Sequence, residues 1–159
     1  MRPHHYLIVA FALCVISCTK SSDSPSMREQ RIELLVNKKW QLTSDFYYQQ
    51  SDNGGSIKNE EVGWVKHTLD NFVIYYPDFT MEWNDNQVLD PYHSTTVYSG
   101  TWQISEDGQT ITTQLLSPEV LSAYSQQFIS VGENEYKTTD VRNAYGTPIT
   151  YYSTYIVIP

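Results

Sequence analysis

The sequence predicts an all-β fold, in which eight antiparallel strands close into an up-and-down barrel behind one short N-terminal helix. Two observations predict it. Apolar and polar residues alternate with a period of two in many short segments, as they do in strands with one buried face. Turn-forming clusters, such as residues 51–56 and 105–108, separate these segments. Closing such strands into a barrel removes the exposed edges of the sheet and leaves room inside for side chains or one small ligand.

The residues that precede the barrel predict export. Arg2 is followed by an apolar stretch over residues 6–16 and then by Ser17 and Cys18, which is the order of a secretory signal peptide. The apolar stretch is shorter than the ~20 residues that a membrane-spanning helix needs. Residues 15–18 resemble the lipobox of bacterial lipoproteins, which implies that residues 1–17 are removed and that Cys18 carries the lipid. Residues 18–26 then form a flexible, Ser-rich tether.

The net charge and the fate of the two cysteines exclude several classes of function. Removal of residues 1–17 takes away Arg2 alone among the charged residues, so the remaining chain has 9 Lys and Arg against 18 Asp and Glu, a net charge of −9. An acidic surface argues against a nucleic-acid partner, which needs a basic footprint. Cys14 leaves with the signal and Cys18 carries the lipid. These losses exclude a cysteine nucleophile, a redox motif and a cysteine metal site.

These features predict a location in the cell envelope. The lipid on Cys18 anchors the protein to a membrane, since each buried CH₂ group contributes about 0.8 kcal/mol. We expect the outer membrane, on either its periplasmic face or the cell surface. Residues 27–159 are predicted to form one domain, which is long enough for a single sizeable core.

The domain begins with a predicted helix over residues 27–36, in which apolar residues recur every three or four positions. Ser26 is its predicted N-cap, and Glu29 completes a capping box. From Lys39 the period changes to two, so the first strand is predicted to bury one face. The residues of that face are Trp40, Leu42, Ser44, Phe46 and Tyr48.

Seven more main strands are predicted along the chain. They cover residues 71–76, 79–84, 95–104, 109–115, 127–131, 135–141 and 149–158. Residues 62–65 are predicted as a weak strand or an ordered loop. Ser117 and Pro118 are the N-cap and first residue of a predicted short helix that ends near Ala123 or Tyr124. Residues 132–134 form the turn of the hairpin that follows.

The order of these elements resembles the lipocalin-like lipoproteins of Bacteroidota. The motifs that carry the resemblance are the helix that leads into Trp40, the segment at residues 79–81, the Ser-Gly-Thr-Trp of residues 99–102 with the Asp-Gly of residues 107–108, and a last strand that ends at Pro159. The resemblance covers about residues 30–159. It implies a lipocalin-like barrel and an envelope location more than a reaction.

Aromatic residues give the strongest functional signal within the domain. Large flat side chains with polar tips suit an amphipathic molecule, so we expect a non-catalytic protein that binds a small apolar or amphipathic ligand inside the barrel. The residues predicted to face the ligand are Phe46, Tyr48, Tyr75, Met81, Trp83 and Tyr98. Trp40 and Trp102 are predicted to plug a barrel end. The same aromatic residues also suit the core of a small barrel without a ligand.

A second hypothesis is an interaction module of the envelope with a solid core. Adjacent tyrosines on a strand point to opposite faces, so the pairs at residues 47–48, 75–76 and 151–152 also place tyrosines outside. A protein or glycan partner could stack on them. Lys38 favours this hypothesis, because it stands where ligand-carrying lipocalins have the Gly of their Gly-x-Trp motif.

No catalytic residue, metal ion or cofactor is predicted. Two histidines each have an aspartate three residues away, and one segment offers three oxygen ligands of the kind that calcium binds. These groups are His67 with Asp70, His93 with Asp90, and the set Asp85, Asn86 and Asp90. We interpret them as solvated residues of loops. A hydrolase that cleaves glycosides would need two carboxylates facing one cleft. The candidates for such a pair are Asp45, Asp70, Asp78 and Glu82.

Overall fold

The structure is a computed structural model that describes residues 24–50, 56–60, 71–84, 97–116, 123–144 and 146–159. Several predictions fall on other residues and lie outside this part of the chain. They concern the signal peptide, Cys18, the first part of the tether, the turn at residues 51–55, the segment 62–65 and the start of the short helix at Ser117 and Pro118.

The described residues form one helix and nine strands. The helix α1 spans Met27–Leu35. The strands are β1 Lys39–Gln50, β2 Ser56–Glu60, β3 Phe72–Tyr75, β4 Thr80–Asn84, β5 Val97–Ile104, β6 Thr110–Leu115, β7 Ala123–Val131, β8 Glu135–Ala144 and β9 Thr147–Ile158. Within the described part of the chain, no helix has the length and apolar character needed to span a bilayer.

The strands close into a barrel. All strand pairs are antiparallel, and β1 pairs with both β3 and β9. From β3 to β9 each strand pairs with the next along the chain, so β1 and β3–β9 form the eight-stranded up-and-down barrel that the sequence predicts. The short strand β2 is an addition that the sequence does not predict. It pairs with residues 46–50 of β1, beyond the three residues of β1 that pair with β3.

Helix α1 packs against one end of the barrel, which we call the helix end. Its predicted capping box is confirmed, because Ser26 Oγ accepts from the Glu29 amide at 3.2 Å and Glu29 Oε2 accepts from the Ser26 amide at 2.7 Å. Arg28 Nε donates to the Ile104 carbonyl at 3.0 Å. Leu35, in the last turn, is fully buried in the core. The helix is thus held by its cap, by the end of β5 and by apolar packing.

Apolar side chains fill the interior beside the helix end. The residues of this core are Leu35, Trp40, Leu42, Val73, Tyr75, Met81, Trp102, Ile104, Ile111, Phe128, Tyr136 and Tyr155. Trp40 is fully buried, and its Nε1 donates to the Leu35 carbonyl at 2.8 Å. Trp102 is also buried and donates to the Tyr76 carbonyl at 3.0 Å. Both tryptophans therefore lie where they fill the helix end of the barrel.

A bulge in β1 reverses the predicted faces of Phe46 and Tyr48. The register of β1 against β9 shifts between Leu42 and Ser44, which inserts one extra residue on β1. An extra residue exchanges the inward and outward positions that follow it. Leu42 points inward, but beyond the bulge the buried position is Asp45. The prediction that Phe46 and Tyr48 face the interior is therefore wrong, and Tyr48 is 52% exposed.

Two element boundaries also differ from the predictions. Strand β7 begins at Ala123, so the short helix does not extend to Ala123 or Tyr124. Phe79, predicted as the first residue of a strand, lies in the β3–β4 turn with a φ of 65°. Its amide donates to the Tyr76 carbonyl at 3.0 Å, which closes the turn, and β4 begins one residue later. Local turn geometry overrides the alternation at this position.

Gly100 lies where β5 passes close to the backbone of β6. A Cβ atom at Gly100 would be 2.4 Å from the Gln114 carbonyl oxygen and 3.1 Å from Met81 Cγ. Because the first of these atoms is backbone, Gly100→Ala must push the two strands apart. We expect it to lower the free energy of unfolding by about 1–3 kcal/mol in urea denaturation. Gly132→Ala is the control, since the nearest atom to its Cβ would be 3.5 Å away. Equal stability of the two variants would contradict this packing.

Candidate functional site

The far half of the barrel is the half away from α1, where β3, β5, β7 and β9 begin. Its inward side chains are mostly polar or aromatic, in contrast to the apolar core. They include Asp45, Tyr47, Trp83, Tyr98, Tyr124, Gln126, Asp140, Arg142, Tyr151 and Ser153. The period of two along each strand brings them to one interior, which is the candidate site.

Arg142 joins β8 to β1 and β7 through this interior. Its Nη1 donates to Asp45 Oδ2 at 2.6 Å and its Nη2 to Asp45 Oδ1 at 3.2 Å, which is a bidentate pair. Its Nε lies 2.8 Å from Asp140 Oδ2 and 2.9 Å from the Tyr124 hydroxyl. Ser153 Oγ donates to Asp45 Oδ1 at 2.8 Å. We call Asp45, Asp140 and Arg142 the ionic network.

The ionic network holds two negative charges and one positive charge in partial isolation from water. Side-chain exposure is 29% for Arg142, 9% for Asp45 and 3% for Asp140. The guanidinium also lies 4.2 Å from the ring centroid of Tyr151, within the range of a cation–π interaction. The two carboxylates are therefore shielded from water, and solvent reaches the network on the side of Arg142.

The guanidinium of Arg142 is a permanent charge in this site. Burial by itself would lower the pKa of Arg142, but the hydrogen bonds to Asp140 and Asp45 outweigh burial, so that the pKa is raised. Hydrogen bonds to a charged form stabilise that form. The positive charge of the network therefore stays in place at every pH at which the barrel is folded.

Three tyrosines of the buried core, Tyr75, Tyr136 and Tyr155, contact one another. The hydroxyls of Tyr75 and Tyr136 are 3.2 Å apart, and the rings of Tyr136 and Tyr155 stack with centroids 4.4 Å apart. Burial raises the pKa of Tyr75 to about 12. Burial also raises the pKa values of Tyr136 and Tyr155. These hydroxyls therefore remain protonated and able to donate hydrogen bonds.

The buried tyrosines predict cooperative unfolding in alkali. A tyrosine whose pKa is raised on folding contributes stability below its ordinary pKa of 10, and this stability is lost as the pH rises through the folded pKa. We expect each of them to remove about 1.4 kcal/mol per pH unit above about pH 10. Tyrosinate absorbance and circular dichroism, recorded together, measure the effect. Gradual ionisation of every tyrosine in a barrel that keeps its circular dichroism would contradict it.

The structure divides the predicted ligand residues into three groups. Tyr75 and Met81 face inward but belong to the packed core. Trp83 and Tyr98 face inward, pair directly across β4 and β5, and lie in the far half. The other two lie on the outer surface beyond the bulge. Trp83 and Tyr98 are therefore the predicted ligand residues that border the candidate site.

The outer surface of β1 and β9 carries an aromatic group. Phe46 and Tyr152 stack with ring centroids 5.4 Å apart, and Tyr48 meets these rings edge-on at 5.5 Å and 5.7 Å. Lys58 Nζ of β2 lies 4.1 Å from the Phe46 centroid. We call these four residues the outer cluster. Cross-strand aromatic pairs of this kind stabilise a sheet, and the exposure of Tyr48 leaves part of the cluster accessible.

The carboxylates weighed for hydrolysis do not converge within the described residues. Asp45 lies inside the far half, whereas Asp78 is exposed in the β3–β4 turn at the helix end and Glu82 points outward from β4. Among the described residues, no group of three His, Cys, Asp or Glu could hold a metal ion. The remaining candidates lie outside the described part of the chain, namely His67, Asp70, Asp85, Asn86, Asp90 and His93.

Sequence reasoning missed two members of the ionic network, Asp140 and Arg142. The signal was present in β8, where residues 136, 138, 140 and 142 alternate onto one face. Two apolar or neutral residues on that face, Tyr136 and Thr138, are followed by two charged ones. The predicted strand ends at residue 141, one residue before Arg142, so the opposite charges were not placed on the same inward face as Asp45.

Comparison with known proteins finds likeness among solved structures. No family model matches the chain, and no curated protein matches it. Among solved structures, the chain is similar to a DUF4847 family protein from Bacteroides vulgatus, with 10% sequence identity, a TM-score of 0.44, and coverage of 78% of this chain and 94% of that chain. At this level of similarity, function has to be argued from the side chains of the barrel itself.

Proposed function

We propose that the protein is a non-catalytic, lipid-anchored envelope protein with a lipocalin-like role, which binds a small amphipathic molecule in the far half of its barrel. The observation that carries the proposal is the contrast between the two halves of the interior. Buried apolar side chains fill the half beside α1. In the far half, Tyr47, Trp83, Tyr124 and Arg142 are only partly covered.

The far half combines the features of a small-molecule site. Such sites have mostly apolar or aromatic walls and a few polar groups that orient the ligand. Tyr47, Trp83 and Tyr124 offer partly exposed aromatic surface for an apolar body. The ionic network offers charged hydrogen-bonding groups for a polar end. Eight-stranded barrels either fill their interior with side chains or hold one small ligand, and the partly covered side chains of the far half favour the second arrangement.

The anchor is the second part of the proposal. Lipid on Cys18 would place the protein at the outer membrane, and residues 19–26 would span at most about 26–29 Å when fully extended. The tether leads into α1, which packs against the helix end of the barrel. The far half would therefore face away from the membrane, toward the aqueous side from which a ligand arrives.

Native mass spectrometry of the full chain, isolated in mild detergent from membranes of a Bacteroidota host, tests both parts. We expect a chain that lacks residues 1–17, carries acyl groups on Cys18, and holds one small molecule non-covalently. Trp83→Ala should lose the small molecule, and Tyr48→Ala, which alters the outer surface, should keep it. A folded protein without any bound molecule would contradict ligand binding, and an unmodified Cys18 would contradict the anchor.

The outer cluster supports a second candidate function, the binding of an envelope protein or glycan on the outside of the barrel. The specific observation is that Tyr48, 52% exposed, sits edge-on to the stacked rings of Phe46 and Tyr152. Aromatic rings held in this way offer a firm surface for stacking. For this second candidate, Tyr48→Ala is the test variant and Trp83→Ala is the control. Tyr48→Ala should weaken capture of envelope glycans or proteins, and Trp83→Ala should leave it unchanged.

A further inference from the structure

We infer that the helix end of the barrel rests on the lipid surface of the membrane that holds the anchor, through Met27 and Phe79. This contact depends on the proposed lipid anchor, because it is a second contact to the same membrane. Three observations carry it. They are an exposed aromatic residue in a strained conformation, a second exposed apolar residue at the same place, and the point at which the tether joins the barrel.

Phe79 holds a backbone conformation that an aromatic residue rarely adopts. Its φ of 65° lies in the left-handed region, where the Cβ atom of a bulky residue is crowded. Glycine adopts this conformation freely and would suit the turn better. Phe79 is nevertheless 38% exposed, so core packing is only part of the reason for an aromatic ring here. Strain of this kind is concentrated at functional positions.

The ring of Phe79 is held firmly at the surface. Its centroid lies 5.5 Å from the ring of Trp102 and 5.8 Å from the guanidinium carbon of Arg28. The backbone amide of Trp102, a buried core residue, donates to the Phe79 carbonyl at 2.9 Å. A side chain that is already held in place loses little conformational entropy when it meets a partner.

Met27 adds a second apolar side chain at the same place. It is 47% exposed and packs on the β5–β6 turn, where its Cγ would be 3.1 Å from a Cβ atom at Gly108. Arg28 joins it to Phe79, because Arg28 follows Met27 in the chain and its guanidinium lies against the Phe79 ring. We call Met27, Arg28 and Phe79 the tether-side patch. Apolar side chains beside a long cationic one suit the boundary between headgroups and acyl chains.

The tether joins the barrel at the tether-side patch. Ser26, its last residue, is the N-cap of α1 and directly precedes Met27. Residues 19–26 reach at most about 26–29 Å, so a lipid on Cys18 would hold the patch within that distance of the bilayer. A short flexible linker gives an effective concentration of about 1 mM. A contact with a dissociation constant of about 1 mM, too weak for a free protein, would therefore form half of the time.

The charges around the patch favour a neutral lipid surface over an anionic one. Three carboxylates flank it, namely Glu29, Asp78 and Asp107. Hydrogen bonds hold the pKa values of all three below their ordinary values, so these groups stay ionised and offset the charge of Arg28. Apolar contact, and not attraction between charges, would hold the patch on the bilayer.

Hydroxyl-radical footprinting of the lipid-anchored chain in nanodiscs tests the contact. Phosphatidylcholine supplies a neutral bilayer, and mass spectrometry of the same sample records the acyl groups on Cys18 and the labelling of each side chain. We expect Met27 to be labelled at least about twofold less in the unaltered protein than in Phe79→Gly, as a contact formed half of the time requires. Tyr48 and Leu116, exposed elsewhere on the barrel, should be labelled equally in both.

Phe79→Gly is the decisive variant because it should fold. Glycine accepts the φ of 65° without strain, which offsets the loss of the contacts to Trp102 and Arg28. Val141→Thr is the matched control, since Val141 is 66% exposed on β8 and threonine also suits a strand. It should leave the labelling of Met27 unchanged. If Phe79→Gly does not fold, Met27→Gln replaces it, and labelling of Phe79 should then rise.

The outcomes separate the contact from the anchor. Equal labelling of Met27 in the unaltered protein and in Phe79→Gly, on a chain that carries acyl groups, would overturn the contact and leave the anchor in place. A Cys18 without acyl groups would overturn both. Protection that appears only when phosphatidylglycerol is added would overturn an apolar contact. Protection found only in native membranes would overturn the lipid as the partner and indicate a membrane protein instead.

Discussion

Replacing Arg142 with alanine is expected to lower the free energy of unfolding by about 3–5 kcal/mol, the range for breaking a buried ion pair from one side. The reason is that Asp45 and Asp140, 9% and 3% exposed, would lose the guanidinium that bonds to both. Arg142→Lys retains the charge but not the bidentate geometry, so an intermediate loss is expected. Guanidinium chloride would screen these charges, and urea denaturation is therefore the measurement.

Lys137→Ala is the control for this prediction. Lys137 lies on the same strand and pairs with Glu135 at 2.9 Å, but the two side chains are 44% and 47% exposed. Solvent screens such pairs, so we expect a loss of about 0–1 kcal/mol. A loss for Arg142→Ala that is no larger than the loss for Lys137→Ala would mean that water already solvates the ionic network.

Replacing Trp40 with alanine is expected to cost about 3–5 kcal/mol, as large-to-small changes of a buried tryptophan do. Trp40 is fully buried, its ring meets Tyr136 edge-on at 4.9 Å, and its Nε1 donates to the Leu35 carbonyl. The variant should therefore also loosen α1, which is visible as faster amide hydrogen exchange over Met27–Leu35. Denaturant unfolding measures the first effect and exchange measures the second.

Trp40→Phe separates the two roles of the indole. Phenylalanine keeps most of the apolar contact with Tyr136 but removes the hydrogen bond to the Leu35 carbonyl. We expect it to be more stable than Trp40→Ala while α1 still exchanges faster than in the unaltered protein. Slow exchange of α1 in both variants would show that apolar packing alone, and not the indole hydrogen bond, holds the helix.

Most of the barrel could be predicted from the sequence because strand alternation is a local signal. The capping box of Ser26 and Glu29, the turn at residues 105–108 and the eight barrel strands are each readable within a short window of sequence. The bulge after Leu42 is not local in this sense. It is defined by the register of β1 against β9, more than 100 residues away along the chain, so sequence reasoning assigned the residues beyond it to the wrong face.

The candidate site was harder to predict for the same reason. Asp45, Asp140 and Arg142 meet because β1 and β8 pair with opposite sides of β9. No spacing in the sequence indicates that contact. Charged residues at inward positions also contradict the expectation that strands bury apolar side chains. Trp83 and Tyr98, by contrast, lie at inward positions that alternation alone indicates, because β4 and β5 contain no bulge between them.

Occupancy of the far half of the barrel by a ligand can be measured through the indole N–H signals of the tryptophans in nuclear magnetic resonance spectra. Phenylalaninol and phenyllactate, two small amphipathic molecules of opposite charge, would be titrated in turn into the isotopically labelled protein. Any probe that binds should shift the signal of Trp83 and leave those of Trp40 and Trp102, which are buried in the core, in place. Binding that leaves Trp83 unmoved, or that shifts Trp40 and Trp102 instead, would contradict a site in the far half.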